Sequence, residues 1–168
     1  GAVASQPITG VSQSFARNFS IAGPTNAVEI GTNITVPVRL DAGADILLAD
    51  VKQVQFTLNY QDANGAKILS TVAGNIVLNQ ALAAEWDLVA QPVDATNGIA
   101  TFTLQSKGPA SLNNVAGTDI ASITFLTTLD RAVQSVDLRL NAVAVGNTCV
   151  NLTTTNSIVN LNPTCALA

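Results

Sequence analysis

The sequence predicts an all-β protein, an antiparallel sandwich of short strands. Three observations carry that reading. Apolar residues recur with period two through most of the hydrophobic runs. Turn-forming clusters separate those runs at near-regular spacing, with no strand–helix–strand alternation between them. No internal repeat of roughly 20–50 residues is present, so the 168 residues read as a single domain, 1–168.

The elements follow in order. In Ile34–Leu40 the residues Ile34, Val36, Val38 and Leu40 share one face, and Pro37 on the other marks an edge strand or a bulge. Gln53–Tyr60 alternates Val54, Phe56, Leu58 and Tyr60 with Gln53, Gln55, Thr57 and Asn59, the cleanest half-buried strand in the chain. Asp62–Gly65 is the turn after it, with Asn64-Gly65 supplying positive φ. Strands are predicted over Lys67–Val72, Trp86–Gln91, Ile99–Gln105, Ile120–Thr127 and Val136–Leu140, with turns at Asp94–Gly98 and Asn113–Gly117. Within Gly74–Glu85 only Ala81–Ala84 favours helix, enough for one short turn. Phe56, Leu58, Trp86, Phe102, Ile123, Phe125 and Leu138 are the predicted core.

Composition removes whole classes of chemistry. The chain has no His, so neither a Ser-His-Asp triad nor a histidine metal site can form. Only Glu29 and Glu85 stand beside nine Asp, and the seven basic residues are scattered through an acidic chain. That is not the clustered basic face a nucleic-acid backbone requires. No apolar run approaches the ~18 residues of a membrane span. Charged residues are 11% of the chain, against about 25% in typical globular domains. None occurs before Arg17 or after Arg139, where Asn, Thr, Ser, Ala and Val dominate. Such a surface, solvated by amides and hydroxyls, predicts an extracellular or cell-surface protein whose signal peptide has been removed. In that setting Cys149 and Cys165, the only thiols, are expected to form a disulfide. Closing that loop would contribute about 3 kcal/mol.

The strand patterns also resemble a known family. VKQVQFTLNYQDANGAKILSTVAG is similar to the cohesin-domain pattern of an alternating strand, a turn and a second strand. EIGTNITVPVRLDAG before it, and GIATFTLQS, GTDIASITFLTT and VDLRLNAVAV after it, resemble further cohesin strands, over roughly residues 28–145. The resemblance implies a nine-stranded jelly-roll sandwich, exported and without catalysis. Cellulosomal cohesins bind dockerin modules through one sheet face, so a dockerin-like protein partner is the expectation it brings. Two features depart from the pattern: an N-terminal segment, 1–25, and a Cys-bridged C-terminal extension, 146–168.

Candidate functional residues each carry a plain structural alternative. The stripe Gln53, Gln55, Thr57 and Asn59 is a candidate protein-recognition face, or simply the wet side of a sheet. Asp41, Asp45 and Asp50 are calcium candidates by carboxylate content, but their spacing matches no EF-hand loop and solvated turn residues are the simpler reading. Trp86 as a sugar platform competes with Trp86 as core. Glu85 and Asp87 stand too close for a glycosidase pair, and no catalytic residue or cofactor is assigned. Asn18, Asn33 and Asn151 begin glycosylation-acceptor patterns. Finally, the uncharged, β-prone segment holding Val11, Phe15 and Phe19 either completes its own sheet or adds to a neighbouring copy. The second option makes the alternative function a fibre or surface-assembly subunit that polymerises by strand addition.

Overall fold

The computed structural model describes residues 15–42, 50–61, 69–127, 135–147 and 149–162. Among them the chain forms strands β1 (Phe15–Ile21), β2 (Val28–Glu29), β3 (Asn33–Leu40), β4 (Gln53–Asn59), β5 (Leu69–Ser70) and β6 (Ile76–Leu78). These are followed by β7 (Trp86–Ala90), β8 (Ile99–Ser106), β9 (Thr118–Thr127), β10 (Ser135–Ala144), β11 (Val150–Thr155) and β12 (Ser157–Asn162). The helical expectation reduces to one-turn 3-10 segments at Ala73–Asn75, Gln80–Leu82 and Leu112–Val115. Asn79 caps the second of these, accepting from the Ala81 N–H at 3.0 Å.

Two six-stranded sheets face each other. Sheet I runs β11-β1-β3-β9-β5, with β6 also pairing β9. Sheet II runs β2-β12-β10-β4-β8-β7. Alternation drives this directly: β4 buries Val54, Phe56 and Leu58 and turns Gln53, Gln55, Thr57 and Asn59 outward. All seven predicted core residues are buried. Phe56 stacks on Phe102 with centroids 5.0 Å apart and meets Phe19 in a T-shaped contact at 4.9 Å, which adds geometry to the apolar area removed from water. Tyr60 meets Phe125 edge-on at 5.3 Å.

Pro37 lies in an interior strand, not at an edge, because β3 sits between β1 and β9. Its carbonyl accepts from the Ala22 N–H at 3.3 Å, so its nitrogen also points toward β1, beyond Ile21, the last residue of β1 paired with β3. The missing N–H therefore leaves out only the reciprocal bond to the Ala22 carbonyl, at the end of the β1–β3 pairing, and takes nothing from the pairing with β9. The bulge is next door: Val38 pairs with Ala121 and Arg39 with Asp119, so Ile120 is the extra residue and both Ile120 and Ala121 are buried.

Two pairings are parallel and correct the purely antiparallel expectation. β1 runs parallel to β11 from Phe15↔Val150 to Ser20↔Thr155, and β2 runs parallel to β12. Residues 150–162, within the C-terminal extension 146–168, thus supply one strand to each sheet. The switch occurs at Asn156, whose Oδ1 accepts from the Leu140 N–H at 2.9 Å. Gly98, at φ +64°, closes the turn into β8 and presents its carbonyl to the Tyr60 N–H at 2.8 Å. Only glycine adopts that φ without strain.

Candidate functional site

The outer face of sheet II is a regular surface across the neighbouring strands β7, β8, β4 and β10. Register lays its side chains out in transverse rows. Val89, Thr103, Gln55 and Val143 form one, running β7-β8-β4-β10. Beside it lie Gln91, Thr101, Thr57 and Asn141, with the Gln91 N–H donating to the Thr101 carbonyl at 2.9 Å. On the other side stand Asp87, Gln105, Gln53 and Val145, the Val145 N–H donating to the Gln53 carbonyl at 2.9 Å. Gln55 and Gln105 are exposed, while Gln53, Thr57 and Asn59 are half-buried among neighbours. The predicted stripe is therefore the central column of a wider array.

Charge stands at the margins of this face, where two ion pairs form. Lys107 Nζ lies 3.6 Å from Asp87 and donates to the Ala83 carbonyl at 2.7 Å. Arg139 and Asp137 pair at 3.2 Å beside a groove of about 510 Å³ that Asn156, Ser157 and Ile158 also line. The middle of the array, on β8 and β4, holds amides and hydroxyls, and Val89 and Val143 flank it on β7 and β10, groups that bind through short-range hydrogen bonds and apolar contact. Asn141, Thr101, Thr103, Gln105, Val89, Gln91 and Val143 were not assigned from sequence. Each strand's parity announced which residues face outward, but only the register shows which of them are neighbours.

The other candidates fall elsewhere. Asp41 accepts from Asn18 Nδ2 at 2.7 Å and Ser20 Oγ at 3.1 Å, so both its oxygens serve a turn network that ties β3 to β1. Asp50 is exposed and Asp45 lies outside the described residues. Trp86 is buried, which removes the sugar-platform reading. Asn18 is bonded through both ends of its carboxamide, donating to Asp41 and Thr155 and accepting from Thr153. That engagement removes it as an open acceptor, whereas Asn33 and Asn151 are exposed.

Phe19, a strand-donor candidate, is a core residue of its own domain at 0% exposure, and the backbone of Phe15 pairs with β11 at home. Val11 lies outside the described residues. Cys149 is exposed and unbridged among the described residues, and Cys165, its expected partner, lies outside them. No helix among the described residues is long and apolar enough to cross a membrane.

No family model matches the chain, and no curated protein matches it significantly. Solved structures do. The seventh ScaB type I cohesin of Pseudobacteroides cellulosolvens superposes with a TM-score of 0.63 at 17% identity, over 89% of this chain and 96% of that one. The cohesin module of a Clostridium perfringens family 33 glycoside hydrolase gives 0.63 at 15% identity, over 87% and 96%. The sixth cohesin of Acetivibrio cellulolyticus scaffoldin B, solved in complex with a dockerin, gives 0.60 at 16% identity, over 88% and 99%. The class is an all-β sandwich, and its fold is cohesin-like. The chain's described strands exceed the nine that the resemblance implies by three.

Proposed function

We propose that the chain is a non-catalytic, extracellular protein-recognition module that presents the outer face of sheet II to a partner. The observation that carries this reading is the array centred on Gln53, Gln55, Thr57 and Asn59: four strands wide, regular, and free of unpaired charge in its middle. Rigid sheet scaffolding pre-orders these side chains, so less entropy is lost when they bind. A histidine-free chain with two glutamates has few groups for acid–base or covalent chemistry. The low charge content supports an exported setting. A dockerin-like module is the partner favoured by the cohesin-like fold, since several neighbours were solved with dockerins.

The strand-addition alternative is less supported, because β1 and Phe19 are already committed to their own sheet. The test is surface plasmon resonance with a panel of type I and type II dockerins over the immobilised full chain. Saturable binding is expected, lost in Gln55→Lys and retained in Thr35→Lys on the opposite sheet. Binding that survives Gln55→Lys would move the site off this face.

A further inference from the structure

The rows of the sheet II face have a second property: they are close to palindromic in residue type. The first reads Val89, Thr103, Gln55, Val143, apolar at both ends and polar in the middle. The second reads Gln91, Thr101, Thr57, Asn141: carboxamide, threonine, threonine, carboxamide. The third has Gln105 and Gln53 at its centre, with Asp87 and Val145 at its ends as the one departure from symmetry. Asp87 is ion-paired with Lys107 at 3.6 Å, at the β7 margin of the face.

A two-fold axis lying along the strands, between β8 and β4, maps each row onto itself reversed. A second copy placed face to face about that axis sets Val89 against the partner's Val143. These two side chains are 49% and 51% exposed, apolar area otherwise left in water. It sets Thr103 against the partner's Gln55, Gln91 against the partner's Asn141, Thr101 against the partner's Thr57, and Gln105 against the partner's Gln53. Carboxamides and hydroxyls each donate and accept, so every such polar pair can be satisfied mutually. No charge meets a like charge in the middle of the face. This is the isologous arrangement of a closed dimer.

We propose that the outer face of sheet II is a self-recognition surface whose occupant is a second copy of this chain. The inference rests on the reading of that face as a recognition surface and names the partner that its chemistry fits. Four strands at ~4.8 Å and three rows at ~7 Å give about 400 Å² per copy. A standard interface buries ~800 Å² per partner, so the dimer falls in the weak, reversible class. A heterologous partner on the same face would compete with it.

The experiment is sedimentation equilibrium of the full chain from tens of micromolar to millimolar, paired with amide NMR at both limits. Expected is a monomer–dimer equilibrium. Concentration-dependent shifts should be confined to Val89–Gln91, Thr101–Gln105, Gln53–Thr57 and Asn141–Val143. Val143→Lys and Thr103→Lys, both outward-facing and checked for fold by circular dichroism, should each abolish the dimer. Thr35→Lys on sheet I should leave it unchanged. A chain that stays monomeric at millimolar concentration, shifts that map to β6, β11 or another edge, or a dimer that survives both lysine variants would each overturn the proposal. If the monomeric chain still takes a dockerin in a Gln55-dependent way, self-recognition fails and the recognition reading stands. If neither association occurs, both fail.

Discussion

The Gly23 N–H donates to Ser157 Oγ at 2.9 Å, at the corner where both terminal segments leave sheet I for sheet II. A Cβ on Gly23 would stand 3.0 Å from that oxygen and 3.0 Å from Val159 Cγ2. Val159 is fully buried, so it has little room to give.

Gly23→Val should therefore destabilise the fold by about 1–3 kcal/mol through overpacking at the corner. Urea unfolding would show this as a lower midpoint at unchanged slope. A midpoint equal to the parent's would mean that the corner is slack.

Phe102→Ala should cost about 3–5 kcal/mol, because it removes the ring stacked on Phe56 in the middle of the sandwich. In a double-mutant cycle with Phe56→Ala, the double variant should lose about 0.5–1.5 kcal/mol less than the sum of the two single losses, because either truncation alone already removes the stacked pair. Additive losses would show that the stacking geometry contributes nothing specific.

Tyr60 predicts an alkaline limit. Burial, reinforced by the nearby Asp94 charge, holds its phenol above the ordinary value of 10.0. The folded state thus keeps the proton more tightly than the unfolded chain. Stability from this site is whole below about pH 10 and is lost as pH rises toward the folded value. Tyr60→Phe should flatten the decline above about pH 10 in pH-dependent denaturation. At neutral pH it should be close to neutral, since the buried hydroxyl has no hydrogen-bond partner among the described residues. A variant that loses stability as steeply as the parent above that pH would clear Tyr60 of the effect.

Asp94 predicts the opposite sign at the acid end. The Asn97 side chain at 2.9 Å, and then its N–H at 3.1 Å, hold the carboxyl below its ordinary value. The contribution is present above the unfolded value and fades as pH falls through the lowered one. Asn97→Ala should raise the Asp94 titration midpoint toward the ordinary carboxylate value, read by carboxyl-carbon NMR. An unmoved midpoint would assign the depression to the backbone alone.

The parts of this fold legible in sequence are those where alternation is strong. β4, β8 and β9 were placed by Val54-Phe56-Leu58, Ala100-Phe102-Leu104 and Ile123-Phe125, because a period of two leaves only one face to bury. β10 reads as shorter than it is, since Asn141 to Ala144 alternates only small residues with Asn and Val. β11 and β12 escaped because Asn, Thr and Ser dilute Val150, Leu152, Val159 and Leu161, and the two cysteines suggested a clamped loop instead. The recognition face was half visible. Its Gln53-to-Asn59 column follows from parity, but the rows depend on which residue of β7, β8 and β10 stands beside each, and that is fixed by long-range pairing.

The parallel ladder of β1 on β11 sets a timetable for the growing chain. Phe15 pairs with Val150, so the first described strand waits for nearly the last before its side of sheet I can close. A chain emerging from the ribosome holds the outer edge of β1 open until residues 150–155 arrive. Such distant contacts slow folding. Ribosome-stalled chains ending before Val150 should be cut readily by protease at β1, and protection should come in one step once Thr155 clears the exit tunnel.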